Sequence, residues 1–97
     1  MSNLEEIAKT IISSIPQIQD YSIDYYETKH NKNYVINFKL PDDFTRKQVE
    51  EFVQSHSSRI YGIVINSVDF QYCDISIKAF GTPKYRRGFH VKISIPK

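Results

Sequence analysis

The apolar residues of this chain change their period along its length, and that order of periods restricts the fold more than any other feature. Leu4, Ile7, Ala8, Ile11, Ile12 and Ile15 recur at three- and four-residue intervals, which is one face of an α-helix. Ser2 and Glu5 have capping-box spacing at its start. Pro16 ends it, because proline lacks the amide donor and disfavours helical geometry at Ile15. The period then drops to two. Tyr21, Ile23 and Tyr25 alternate with polar residues, Lys29-His30-Asn31-Lys32-Asn33 turns the chain, and Tyr34, Ile36, Phe38 and Leu40 return it. This is a hairpin, closed by Pro41-Asp42-Asp43.

A second helix is expected from about Arg46 to His56. Thr45 and Gln48 have capping-box spacing, and Phe44 and Val49 have that of a hydrophobic staple. Its apolar stripe, Val49, Phe52 and Val53, is narrow, so the helix should lie on a surface and cover part of a sheet. The remainder reads as strand. Ile60 to Ile65 forms one segment, followed by a weak turn signal at Asn66-Ser67. Val68, Phe70 and Tyr72 alternate on one parity, then Cys73, Ile75, Ile77 and Ala79 on the other. A parity change inside an apolar run implies a β-bulge or break near Tyr72-Cys73. Gly81 to Gly88 is a long turn, and Phe89, Val91, Ile93 and Ile95 give a last strand.

The expected order is α-β-β-α-β-(β)-β, with the two helix-plus-hairpin halves resembling an architectural duplication. Strands without βαβ alternation predict an α+β fold: two helices packed on one face of a four- to five-stranded, mainly antiparallel sheet. The 97 residues fit one domain, 1–97. A hydrophobic content of 40% with 25% charged residues excludes wholesale disorder. The single Cys73 excludes an internal disulfide, no secretory leader pattern opens the chain, and no apolar run is long enough to cross a bilayer. A cytoplasmic protein is the expectation.

Charge supplies the functional signal. The last twenty residues hold Lys78, Lys84, Arg86, Arg87, Lys92 and Lys97 and no acid, whereas the rest of the chain is net acidic. Phosphate neutralisation and base stacking need cations and aromatic groups together. Lys84, Arg86 and Arg87 at the tip of a hairpin, flanked by Lys78 and Lys92, meet the first need, and Tyr85 and Phe89 the second. Lys29, His30 and Lys32 add a second basic tip, continuous with the first where the two hairpins point the same way. The plainer alternative is a solvated hairpin whose charges deter edge-to-edge association.

Other chemistries have less behind them. His30, His56, His90 and Cys73 fall at no paired metal-ligand spacing, so neither a metal nor a cofactor is expected. Nucleophile-elbow, Walker and dinucleotide motifs are missing from the sequence. Asp69, Asp74 and Glu27 around a magnesium ion would make a nuclease, but carboxylates are this common in any soluble chain. Tyr26, Tyr61 and Tyr72, with Val35, are expected on the sheet face away from the helices, where tyrosines commonly build a dimer interface. The composition, rich in Ile, Lys, Asn and Tyr, is frequent among virus and plasmid products. The leading expectation is a non-enzymatic protein that binds DNA or RNA, and associates as a homodimer. The alternative is an interaction module, an inhibitor or assembly factor, docking its basic hairpin on an acidic protein.

Overall fold

The computed structural model describes residues 4–66, 73–80 and 84–97. Helix α1 (Leu4–Ser14) carries Glu5 and Glu6 in its first turn, where negative charge suits the helix dipole. It buries Leu4, Ile7, Ala8 and Ile11 and stops before Pro16. Strands β1 (Asp20–Glu27) and β2 (Asn31–Lys39) pair antiparallel from Asp20↔Lys39 to Glu27↔Lys32. Residues 28–30 close this hairpin, with the Thr28 amide donating to the Asn31 carbonyl at 2.9 Å.

Helix α2 (Arg46–Ile65) starts at the expected box. The Gln48 amide donates to Thr45 Oγ1 at 3.1 Å, and the Thr45 amide to Gln48 Oε1 at 2.7 Å. The helix runs nine residues past the expected end, so Ile60–Ile65 is not a strand. Ile60 and Val64 extend the buried stripe of Val49, Phe52 and Val53 around the same helix face. Their packing outweighs the poor helix propensity of a β-branched segment containing Gly62. Strands β3 (Asp74–Ala79) and β4 (Gly88–Pro96) complete a four-stranded, wholly antiparallel sheet of order β1-β2-β4-β3. A fifth strand is not seen among the described residues. The expected bulge at Tyr72-Cys73 and the alternation of Val68, Phe70 and Tyr72 lie outside them in whole or part.

Both helices cover one face. From that side Ile36 and Phe38 of β2 and Phe89, Val91 and Ile93 of β4 are buried under α1 and α2. Phe89 stacks on Phe38 at 5.0 Å between centroids and meets Phe52 at 5.9 Å. Strand alternation leaves the other parity on the uncovered face: Ser22, Asp24 and Tyr26 of β1, Asn33, Val35 and Asn37 of β2, His90, Lys92 and Ser94 of β4, and Asp74, Ser76 and Lys78 of β3. Tyr61 belongs to α2, so of the expected face tyrosines only Tyr26 is there among the described residues. The face is polar and internally bonded. Asn37 Nδ2 donates to Asp24 Oδ2 at 2.8 Å and Ser94 Oγ to Asn33 Oδ1 at 2.6 Å.

The sheet has a pseudo-twofold axis. Its two central strands are equally long and pair end to end, Asn31↔Pro96 and Lys39↔Gly88, which centres the axis on Val35↔Lys92. Each half is one helix followed by one hairpin, the duplication expected from the order of periods. Antiparallel pairing of β2 with β4 sends the two hairpin connections to opposite ends of the sheet. The Lys97 amide donates to the His30 carbonyl at one end, and the Leu40 amide to the Arg87 carbonyl at the other. A continuous basic rim joining the two tips is therefore excluded.

Candidate nucleic-acid interface

The connection between β3 and β4, residues 80–87, begins with a backbone outlier. Phe80 has φ of 65°, a left-handed conformation that costs a non-glycine residue about 1–2 kcal/mol. Its amide donates to the Gly88 carbonyl at 3.0 Å, and its carbonyl accepts from His90 Nδ1 at 2.9 Å. The Phe80 ring lies under the guanidinium of Arg46, which sits 4.2 Å from its centroid. The far end of the connection is fixed by Arg87. Its Nε donates to the Phe44 carbonyl at 2.7 Å and its Nη1 to the Arg86 carbonyl at 3.2 Å. Gly88 admits no side chain, because a Cβ there would come 2.3 Å from the Phe38 carbonyl oxygen.

These ties revise the expected roles. Phe89 is fully buried in the core and has no face to offer a base. Arg87 is half-buried and engaged with the segment leading into α2 rather than projecting from a tip. Tyr85 is half-buried with its hydroxyl enclosed and unpartnered. Lys84 and Arg86 remain as exposed cations of the connection. Lys78 is exposed on the open sheet face, cross-strand from His90, and half-buried Lys92 stands on the same face between Val35 and Ser76.

Two further cations complete this end. Arg46 and Lys47 are exposed in the first turn of α2, which has no acidic residue. Cations there oppose the helix dipole, and that anomaly was the signal available in the sequence. Acids flank Arg46 and Lys47 on both sides in the chain, Asp42 and Asp43 before them and the exposed Glu50 and Glu51 about one turn further along α2; Asp42 lies 3.9 Å from Lys39 Nζ, which also donates to Gln19 Oε1 at 2.6 Å.

Lys29 and Lys32 are at the other end of the sheet, both exposed. Their field is reduced by Glu27, cross-strand from Lys32 and paired with Lys97 at 2.8 Å. Lys97 and the Tyr25 hydroxyl, which donates to Glu27 at 2.6 Å, hold the Glu27 carboxyl below the usual carboxylate range. The same bond, with the neighbouring negative charge, pushes the Tyr25 phenol up to about 12.

The carboxylates do not assemble. Glu27 is on β1 and faces the helix side, Asp74 is on β3 at the opposite edge and faces the open side, and Asp69 lies outside the described residues. Among the described residues no three His, Cys, Asp or Glu side chains are grouped to hold a metal. Burial, reinforced by Asp74, pushes the Cys73 thiol up. An open groove of about 400 Å³ between α2 and β3 is lined by Ser57, Ser58, Tyr61, Ile75 and Ile77 and contains no charged group. No described helix is long and apolar enough to cross a membrane. Comparison with protein-family models and with curated proteins finds no match for the chain.

Proposed function

We propose that this is a nucleic-acid-binding protein that grips phosphate with the exposed cations around the β3–β4 connection. The observation that carries the reading is the exposure of Lys84 and Arg86 in the connection with Lys78 on the adjoining sheet face and Lys92 further along it, at an end tied to the helix layer by the Arg87–Phe44 bond and the Arg46–Phe80 contact. Fluorescence anisotropy with labelled DNA and RNA at several salt concentrations tests it. Four neutralised phosphates on a duplex give a slope of log affinity against log salt of about −3.6, and the Lys84→Ala/Arg86→Ala pair flattens that slope by about 1.8. Absence of binding to any nucleic acid at low salt rejects the reading. It would leave the alternative, an acidic protein partner for the same cations.

A further inference from the structure

The two edges of the sheet differ in what they offer another strand. Among the described residues β1 and β3 each pair on one side alone, which leaves a row of backbone donors and acceptors open on the other. Strand β1 carries Asp20, Asp24 and Glu27 and no cation, so two copies of it laid together gain no opposite-charge pair and bring acids near acids. Strand β3 reads Asp74-Ile75-Ser76-Ile77-Lys78-Ala79, with charges of opposite sign placed symmetrically about Ser76. We propose that β3 is a self-complementary edge, through which two copies of this chain pair as an antiparallel twofold dimer centred on Ser76. The proposal is independent of the phosphate reading.

Backbone geometry permits the register that charge favours. The Phe80 amide donates to the Gly88 carbonyl, so every second residue back from Phe80, which is Lys78, Ser76 and Asp74, bonds to β4. The backbone groups of Ile75 and Ile77 therefore point outward from the edge. With the axis at Ser76, Ile75 of each copy faces Ile77 of the other, and the two exchange both ladder bonds. Asp74 of each copy then faces Lys78 of the other at non-hydrogen-bonded positions, where side chains approach most closely. Both residues are exposed and lie on the open sheet face. Slipping one copy by two residues keeps outward groups opposed, but sets Asp74 or Lys78 against Ser76 and loses both ion pairs. On the helix side, half-buried Ile75 and Ile77 line the groove with Ser57, Ser58 and Tyr61, and a second β3 continues that apolar wall across the axis. The Lys78 ammonium has three donors, so an Asp74 partner leaves it able to meet phosphate as well.

The test is sedimentation of the chain without nucleic acid across the micromolar range, followed by exchange of the charges. The expected species is a dimer. Lys78→Asp sets acid against acid and Asp74→Lys sets cation against cation, and each weakens association at least about tenfold. The exchange Asp74→Lys/Lys78→Asp restores opposite charges at both positions and returns the dimer. Mixing the two single variants gives a heterodimer, since each then meets the opposite charge in the other. Thermal melting of each variant checks the fold. Ser76→Cys in a Cys73→Ser background keeps both charges and reads the register directly. Its thiols meet across the axis with about 4.5 Å between Cα atoms, within disulfide reach, so mild oxidation links the chains. A monomer throughout that range, an exchange variant that stays apart, or Ser76→Cys chains that do not link overturns the proposal. A dimer indifferent to both single charge variants overturns it too, and moves the interface to another surface.

Discussion

Arg87 and Arg86 are adjacent in the chain and alike in chemistry, yet the structure gives them opposite roles, which a pair of single substitutions separates. Arg87 Nε bonds the Phe44 carbonyl at 2.7 Å and bridges the β3–β4 connection to the segment that caps α2. A hydrogen bond from a charged donor contributes about 1.5–3 kcal/mol, and partial exposure reduces that to about 1–2 kcal/mol here. At roughly 2.1 cal/mol/K per residue, the unfolding entropy of a 97-residue chain is about 0.2 kcal/mol/K, so Arg87→Ala lowers Tm by about 5–10 °C. Arg86 is exposed, so Arg86→Ala stays within about 0.5 kcal/mol of the parent. Binding reverses the order. Arg86→Ala removes one phosphate contact and flattens the salt slope by about 0.9, while Arg87→Ala, measured well below its Tm, keeps the slope. Calorimetry and anisotropy on the two variants suffice. Equal melting temperatures, or a larger slope change in Arg87→Ala, would refute the assignment of Arg87 as a structural tie.

Phe89→Ala removes a fully buried ring between Phe38 and Phe52 and costs about 3–5 kcal/mol, read as a shifted urea midpoint. Gly62→Ala meets nothing within 4 Å and stabilises the helix by about 0.5–1 kcal/mol, so a loss of stability would count against residues 60–65 being helical. Asp43→Asn removes a nearby acid and raises nucleic-acid affinity without changing Tm, checked by the same titrations. Glu27, with its pKa lowered in the fold, contributes stability that is present above its unfolded value and lost as pH falls through the folded one; Tyr25, raised, contributes stability lost as pH climbs from 10 to about 12. Glu27→Gln should therefore flatten the chemical-denaturation profile at both extremes. A homodimer would use an edge strand, β1 or β3, because among the described residues the open face offers Val35 and Tyr26 alone as large apolar groups; light scattering showing a monomer at micromolar concentration rejects it.

The helix Leu4–Ser14 and the first hairpin were legible because their apolar residues keep one period for their whole length. Ile60–Ile65 was not, since a short apolar β-branched run has no period of its own, and only its alignment with Val53 around the helix surface decides it. Phe89 was readable and was misassigned. It shares parity with Val91, Ile93 and Ile95, so a strand that buries them buries it too. The cations of the candidate site were visible as a run, but their partners were not. Arg46 and Lys47 are about forty residues away in sequence, and the strand order, the Arg87–Phe44 bond and the Arg46–Phe80 contact bring that segment to the connection.

The pseudo-twofold axis through Val35 and Lys92 makes the molecule its own control experiment. Two hairpins of equivalent position close in the same sheet, one over residues 28–30 and the other over residues 80–87, and the central register is indifferent to which is longer. Lengthening a connection from three residues to eight costs only about 0.9 kcal/mol of closure entropy. That is small beside the core that Ile36, Phe38, Phe89 and Val91 share across the axis. One copy of the motif can thus keep the fold while the other varies in length and charge. Binding preference could be rewritten at residues 81–86 with the two halves still locked together, and a graft of the long connection onto the short hairpin would yield a chain with two such ends.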